Sequence, residues 1–460
     1  MSILLTHAYY LSDDPKEQRI MKPYPPLGLL YVSAYLLSRN VANEVFDSTF
    51  YSQKEQLDFI REKNPKVIAI YTNLMTKVEV VKLIRILKTE MFETPKIILG
   101  GPDVTYNIEN YLKIGADFLV IGEGEETTYE LYEAIMARGD FSVINGIAFL
   151  EDGKVHETTA RTKFRELDDL PLPNRDAIPN EKYLEIWKKN HGESSMTIST
   201  QRGCPYTCKW CSTAVYGQSY RRRPAHLVAA EMKMLKEKFD PDAIWFVDDV
   251  FSISHKWLTA FHEEVVKQNA QIRFECITRA ERLNGEILQL LKEAGCFRIW
   301  IGAESGSQKV IDLMDRRVDV NHVKKMIQQT NALGIETGTF IMVGYPGENE
   351  ADIYETIEYL KAANPTHYTI TIAYPIKGTS LYNEVEKDIT IIPDWESSTD
   401  RQIDFNRKYP RKYYDYAVSK VVNEVEFHRE FMKGKNRNTL KAMKLKTKSF
   451  LASALMTIHK

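Results

Sequence analysis

Cysteine is scarce in this chain, with five residues in 460. So few thiols exclude a disulfide-stapled secreted scaffold and point to a reducing compartment. No apolar run approaches the ~18 residues that suggest a membrane span. The N-terminus, Met1-Ser2-Ile3-Leu4-Leu5-Thr6-His7, lacks the charged segment and long apolar core of a signal peptide. Charge of neither sign dominates: 61 Lys and Arg against 63 Asp and Glu leave a net charge of −2. That balance gives no electrostatic footprint for nucleic acid. Hydrophobic content of 43% and charged content of 27% are those of a globular protein. The length suits two or three domains of ~150 residues. A cytoplasmic protein is the expectation.

Three of the five cysteines stand in one short segment, Gln201-Arg202-Gly203-Cys204-Pro205-Tyr206-Thr207-Cys208-Lys209-Trp210-Cys211. The spacing is C-x3-C-x2-C, with no fourth cysteine nearby. A [4Fe–4S] cluster normally takes four thiolates, so three leave one iron open to a small molecule. Gly203 permits a tight turn, and Pro205 disfavours continuing a strand through the motif. A disulfide would leave an odd thiol. Zinc is the alternative, needing a fourth ligand or an open catalytic position. The nearest upstream histidine, His191, lies across a predicted strand from Cys204.

Two α/β patterns follow one another. In the first, strands are predicted at 3–5, 44–46, 67–71, 96–99 and 118–121. Helices are predicted at 27–37, 54–63, 77–90, 108–114 and 126–138. Alternation of this kind predicts a doubly wound parallel sheet, with ligands bound at the carboxyl ends of its strands. Thr72-Asn73, Gly100-Gly101-Pro102-Asp103 and Gly122-Glu123-Gly124-Glu125 stand at those ends. Residues 141–190 read as a connector containing a hairpin around Asp152-Gly153 and a Pro-rich loop.

The second pattern has strands at 196–200, 243–247, 273–278, 298–302, 338–343 and 368–373, with helices between them. Six such units suit a partial (β/α)6 barrel, whose strand carboxyl ends carry function. The cysteine loop, Asp248-Asp249, Arg279, Glu304-Ser305 and Gly344-Tyr345-Pro346-Gly347-Glu348 all follow strands and are expected on one rim. The buried apolar positions predicted for Cys276 and Cys296 argue against a second cluster. The domain reading is 1–140, connector 141–190, barrel 191–380, and a helical C-terminal extension 381–460.

The cysteine loop with Trp210 before its last thiol resembles the signature of radical S-adenosylmethionine enzymes. Trp245–Asp249, Ile301–Ser307 and Val343–Glu348 are similar to that family's barrel. The N-terminal half resembles the cobalamin-binding domain of the subfamily containing cobalamin-dependent methyltransferases and the anaerobic magnesium-protoporphyrin ester cyclase. The resemblance implies that Cys204, Cys208 and Cys211 hold a [4Fe–4S] cluster whose open iron takes S-adenosylmethionine. It implies that Arg279 pairs with the methionine carboxylate. It implies that Glu304 and Ser305 meet the amine or ribose hydroxyls, and that the Gly344 turn approaches the adenine. Trp210 and Asp248 complete this set, with Trp210 shielding or packing. Cobalamin is implied at Thr72, Asn73, Leu74, Gly100, Gly101, Gly122 and Glu123. The usual D-x-H-x-x-G reads here as Asp47-Ser48-Thr49-Phe50-Tyr51-Ser52, and threonine is a poor cobalt ligand. Cobalamin is therefore expected without a histidine from this motif; the alternative is a retained domain that no longer holds it.

The activity so implied is formation of a 5′-deoxyadenosyl radical, used for cobalamin-dependent methylation of an unactivated carbon. An anaerobic oxidative cyclisation or other carbon-skeleton change is the alternative. A non-catalytic corrinoid or iron–sulfur binding protein is the alternative of another class. The expected partners are a small-molecule or lipid-like substrate and an electron donor such as flavodoxin or ferredoxin. Near the C-terminus, Tyr409-Pro410-Arg411-Lys412-Tyr413-Tyr414 is aromatic and basic enough to line a substrate entrance. Lys433, Lys435, Arg437, Lys441, Lys444, Lys446 and Lys448 have no acidic residue among them, and Phe450–Met456 follows. This tail is either a solvated helix or one that touches a membrane surface.

Overall fold

A computed structural model describes residues 3–212, 215–432 and 439–460. Its contacts divide the chain into two compact units. The first is 1–205 with 213–245 and 393–399; the second is 206–212 with 246–392 and 400–460.

The first unit is built on β1 (Ile3–His7), β2 (Asn43–Phe46), β3 (Val67–Tyr71), β4 (Lys96–Gly100) and β5 (Phe118–Val120), followed by β6 (Ile147–Glu151) and β7 (Lys154–Glu157). Their order is β2-β1-β3-β4-β5-β6-β7. The first five strands are parallel, with β1 opposite β3 at Leu5↔Ala69 and β3 opposite β4 at Ala69↔Ile98. Side chains alternate between faces along a strand, and both faces here are covered. Leu4, Ile68, Ile70, Ile97 and Leu99 fill one core, while Ile3, Leu5, Val67, Ala69 and Ile98 fill the other. That double burial is why these strands read as unbroken apolar runs.

The helices end where their sequences say they should. Ser52 and Glu55 form a capping box at the start of Gln53–Lys63, and Asn64 closes that helix in the left-handed conformation. The hairpin is where expectation and structure differ. It does not stand in a free connector: β6 pairs antiparallel with β5 and extends the first sheet. The antiparallel edge continues the sheet without another crossover.

This unit also holds β8 (Ser195–Ile198), β9 (Gln201–Arg202) and β10 (Arg221–Arg222), with β9 and β10 antiparallel. Glu231, on helix Ala225–Phe239, is fully buried between Arg175 and Arg223. Arg175 also donates to Thr197 O at 2.7 Å, tying the segment after the Pro-rich loop to β8.

After β11 (Ala243–Phe246), the second unit carries β12 (Arg273–Thr278), β13 (Cys296–Glu304), β14 (Glu336–Val343) and β15 (His367–Ile372). β12 through β15 are parallel neighbours in the order β15-β14-β13-β12, and β11 lies beside β8. Sequence neighbours are thus spatial neighbours, with helices such as Val320–Ala332 and Glu350–Ala363 between strands. That is the partial-barrel pattern. Cys276 and Cys296 are buried, as their apolar settings imply.

The chain ends in two long helices, Arg411–Met432 and Leu440–Ile458. Contacts of Lys441 with Glu430, Lys446 with Glu424 and Tyr416 with His459 set them antiparallel. Tyr413 and Tyr414 do not line an entrance: both are wholly buried, with their rings 5.3 Å apart. Lys433, Lys435 and Arg437 lie outside the described residues. No helix among the described residues is long and apolar enough to cross a membrane.

Candidate functional site

None of the five cysteines is in a disulfide; Cys204 and Cys208 are half-buried, and Cys211 is exposed. The loop leaves β9 through Gly203, whose φ of +82° and closeness to Ser219 leave no room for a Cβ. In the second unit its far half is pinned from both sides. The Lys209 N–H donates to Met314 O at 3.3 Å, and Lys209 O accepts from the Leu381 N–H at 2.8 Å. The Cys211 N–H donates to Cys208 O at 3.1 Å. Trp210 packs on the core of Val310, Met314, Tyr345 and Leu381, so it anchors the loop.

Arg279, placed just past β12, donates from Nη1 to Cys208 Sγ at 3.2 Å. Its guanidinium lies over the Tyr206 ring, 3.9 Å from the centroid. The other donors go to Glu281 Oε1, at 2.9 and 2.6 Å, and to Arg316 O at 2.6 Å. A cationic donor aimed at sulfur suits a thiolate that carries negative charge, as iron ligation requires. Its remaining donors are thus engaged by Glu281 and Arg316.

Glu304 ends β13 at an irregularity where the register with β14 slips between Gly302 and Glu304. Its φ is +65°, an unusual conformation for a side-chain-bearing residue. Such bulges re-aim side chains beside functional sites. Burial pushes the Glu304 carboxyl up to about 7, against the pull of Arg316 and Arg279. Arg316, itself buried, donates to Gly302 O at 3.1 Å. Asp248 is buried just past β11.

Two residues expected to meet S-adenosylmethionine make contacts inside the fold. Ser305 is buried, with its hydroxyl 3.2 Å from Thr356 Oγ1 and accepting the Ser307 N–H. These bonds tie it to helix Glu350–Ala363. Gly344, at φ +77°, has the Tyr414 ring against the place a Cβ would take. Its carbonyl accepts from Arg407 at 3.2 Å, and its N–H donates to Glu348. The turn thus packs against Tyr414 of helix Arg411–Met432 and against Arg407.

In the first unit, Thr72, Asn73, Leu74, Gly100, Gly101, Gly122 and Glu123 follow the ends of β3, β4 and β5. The Thr72 N–H donates to Gly100 O at 2.8 Å, extending the β3–β4 ladder. Gly101, at φ +116°, packs so close to Thr72 O and the Tyr71 ring that a Cβ would clash. Gly100 and Gly122 have no atom nearer than 3.8 Å to their absent Cβ positions. Backbone bare of side chains at these two strand ends fits the close approach of a bulky ligand. Asn73 uses its Oδ1 to accept the Met75 and Thr76 N–H groups, opening the next helix. Glu123 is not a free ligand group, since Arg202 and Arg221 bind it at 2.8 and 2.7 Å. Arg202 also grips Glu125.

Asp47 reveals what replaces the usual histidine. It pairs with His7 Nε2 at 2.9 Å and accepts from Tyr183 OH at 2.6 Å. His7 Nδ1 accepts the Tyr9 N–H at 3.1 Å and also meets Ser48 Oγ at 3.1 Å. Thr49 Oγ1 is 3.0 Å from Tyr183 OH. Both His7 nitrogens are spent inside the fold, so the motif offers no imidazole to cobalt. His7, Tyr183, Arg202 and Arg316 were not singled out by sequence. Arg202, next to Gly203 in the cysteine motif, was the most visible of them.

Among the described residues, no three His, Cys, Asp or Glu side chains are grouped to hold a single metal ion. Cluster thiolates bind separate irons rather than one centre, which is a different arrangement.

Residues 198–360 match the radical SAM superfamily and residues 19–132 match the B12 binding domain. This chain joins a B12-binding domain to a radical SAM domain. It is an enzyme of the cobalamin-dependent radical SAM kind, and its cofactors are a [4Fe–4S] cluster, S-adenosylmethionine and cobalamin. It is similar to an uncharacterized methyltransferase of Pyrococcus horikoshii, 24% identical over 383 residues and 82% of each chain. It is also similar to the anaerobic magnesium-protoporphyrin IX monomethyl ester cyclase of Rubrivivax gelatinosus. That match is 26% identical over 407 residues, 85% of this chain and 71% of the other. Among solved structures, the cobalamin-dependent S-adenosylmethionine radical enzyme OxsB, with aqua-cobalamin bound, gives a TM-score of 0.77 at 14% identity. It covers 99% of this chain and 76% of that one. The radical S-adenosylmethionine methyltransferase TsrM of Kitasatospora setae, with cobalamin and a [4Fe–4S] cluster bound, gives 0.69 at 18% identity, covering 84% and 78%. These two likenesses establish the fold.

Proposed function

We propose that this radical SAM enzyme methylates an unactivated carbon of a small or lipid-like substrate. The observation that carries this reading is the Arg279 contact to Cys208, a cationic donor on a thiol of the C-x3-C-x2-C loop. Two matched relatives named as methyltransferases each cover about four-fifths of this chain and support it. Cys204, Cys208 and Cys211 would hold the cluster; Gly100, Gly101 and Gly122, with Thr72, Asn73 and Leu74 at the strand ends, would receive cobalamin. When bound, these groups supply one-electron cleavage of S-adenosylmethionine and carriage of a methyl group.

The chain's own residues have distinct tasks. Arg279 holds the Cys208 sulfur and screens its charge. Trp210 and Met314 fix the loop that would hold the cluster. Glu304 would accept from the methionine amine or a ribose hydroxyl, and Asp248, past β11, would complete the S-adenosylmethionine set. Overall, a substrate C–H becomes C–CH3. One S-adenosylmethionine supplies the methyl group and ends as S-adenosylhomocysteine. A second yields methionine and 5′-deoxyadenosine, the latter carrying the substrate hydrogen. Two electrons complete the balance, from a donor such as flavodoxin or ferredoxin in the cytoplasm. Domain borders near 140, 190 and 380 belong to the same proposal, with the hairpin β6–β7 counted to the first sheet.

The similarity to the anaerobic cyclase favours a second reading, oxidative ring closure. Product counting separates the two. Reconstituted enzyme is incubated with methyl-labelled S-adenosylmethionine and the metabolites that accumulate in a deletion strain. Methylation predicts label in a new product and equal amounts of S-adenosylhomocysteine and 5′-deoxyadenosine. Cyclisation predicts no labelled product and no matching S-adenosylhomocysteine.

A further inference from the structure

The last helix, Leu440–Ile458, has two apolar faces, and only one is used. Ala442, Ser449, Ala452 and Met456 are buried on the inward side, facing helix Arg411–Met432. On the outward side Leu440 is 84% exposed, Phe450 73%, Leu451 53% and Ile458 72%. Their spacing, i, i+10, i+11 and i+18, places them along one stripe of an α-helix. Isolated exposed apolar residues need no explanation, but a contiguous stripe marks an interaction surface.

The charge around the stripe identifies what it meets. No acidic residue follows Glu430, while residues 431–460 contain seven lysines and one arginine. The chain's net −2 therefore divides as +8 in this segment and −10 in the preceding 430 residues. Within the helix, Lys444 and Lys448 are exposed beside the stripe, while Lys441 and Lys446 pair with Glu430 and Glu424 of the preceding helix. Lysine stems lie along apolar surface while their ammonium groups reach outward. A helix with an apolar stripe flanked by such cations, and with no acidic residue of its own, lies in the plane of an anionic bilayer surface. The four lysines in its first half keep it from spanning.

We propose that the outward face of Leu440–Ile458 is a peripheral membrane-binding surface that inserts Phe450, Leu451 and Ile458 among anionic lipid headgroups. The acidic remainder of the chain is repelled by such a surface, so attachment is confined to this end. The proposal is independent of which reaction the enzyme performs.

The test uses the full-length holoenzyme and co-sedimentation with vesicles of phosphatidylcholine alone or with about one-third phosphatidylglycerol. Binding is expected to the anionic vesicles only, and to weaken at high salt. Lys444→Gln with Lys448→Gln should weaken it about fivefold per lysine. Phe450→Ser with Leu451→Ser and Ile458→Ser should abolish it, while the unfolding temperature stays unchanged. Phe450→Trp gives a second readout, an emission shift to the blue on anionic vesicles. Absence of binding and of any shift overturns the proposal. So does a face that instead forms a dimer, seen by light scattering and dissolved by the serine variants.

Discussion

The Arg279 guanidinium donates to Cys208 Sγ at 3.2 Å while stacked on Tyr206, two residues before that cysteine. One side chain thus holds the sulfur and the turn that presents it. A cationic N–H on a cluster thiolate stabilises the reduced, more negative cluster, and removing it makes reduction harder. Arg279→Gln is expected to lower the midpoint potential by roughly 50 mV, about 1 kcal/mol for one electron. Redox titration followed by electron paramagnetic resonance measures this directly. An unchanged potential would leave Arg279 with a packing role only.

The buried Glu348 carboxyl predicts a pH dependence of stability. Burial pushes it up to about 8, although the Gly344 N–H pulls the other way. Between about 4.5 and 8 the folded state keeps a proton that the unfolded state has released. Stability supplied by that proton is present at low pH and is lost as pH rises through 8. Glu348→Gln should therefore match the parent protein near pH 5 and exceed it by a few kcal/mol near pH 8.5. Urea unfolding at the two pH values checks the crossover.

Arg202 joins Glu123 and Glu125 in a buried cluster one residue before Gly203. Arg202→Met should strand the buried Glu125 carboxylate, while Glu123 keeps Arg221, and cost about 3 kcal/mol. Thermal unfolding of the variant should show a clear loss of stability.

Cobalamin should bind without an imidazole from the chain, because His7 spends both nitrogens on Asp47, Tyr9 and Ser48. The paramagnetic spectrum of the reduced, cobalamin-loaded protein should lack nitrogen splitting from a histidine beneath the metal. Gly101→Ala should lower cobalamin retention and cost about 2 kcal/mol or more, since φ is +116° and a Cβ meets Thr72 O.

Much of the fold was legible because its signals are local. The strands of the first sheet announce themselves as apolar runs such as Val67–Tyr71, and Ser52 with Glu55 marks a helix start within four residues. The cysteine loop was legible for the same reason. What sequence left unseen depends on partners far along the chain. Ser305 reads as a rim hydroxyl until Thr356 is brought against it. Gly344 reads as an open turn until Tyr414 and Arg407 cover it. Arg279 reads as a free fork, yet its neighbours Cys208 and Arg316 arrive through tertiary packing alone. His7 gave no signal, because a histidine ending a first strand looks like any turn residue.

The account stands most directly on 5′-deoxyadenosine. The full-length protein is reconstituted anaerobically with iron, sulfide and cobalamin, given S-adenosylmethionine, and reduced with dithionite. Product is then counted per cluster, with substrate-containing extract added in a parallel sample. The predicted result is 5′-deoxyadenosine from the parent protein and none from Cys208→Ala. A fully loaded cluster that yields no 5′-deoxyadenosine, with or without extract, would contradict the radical assignment.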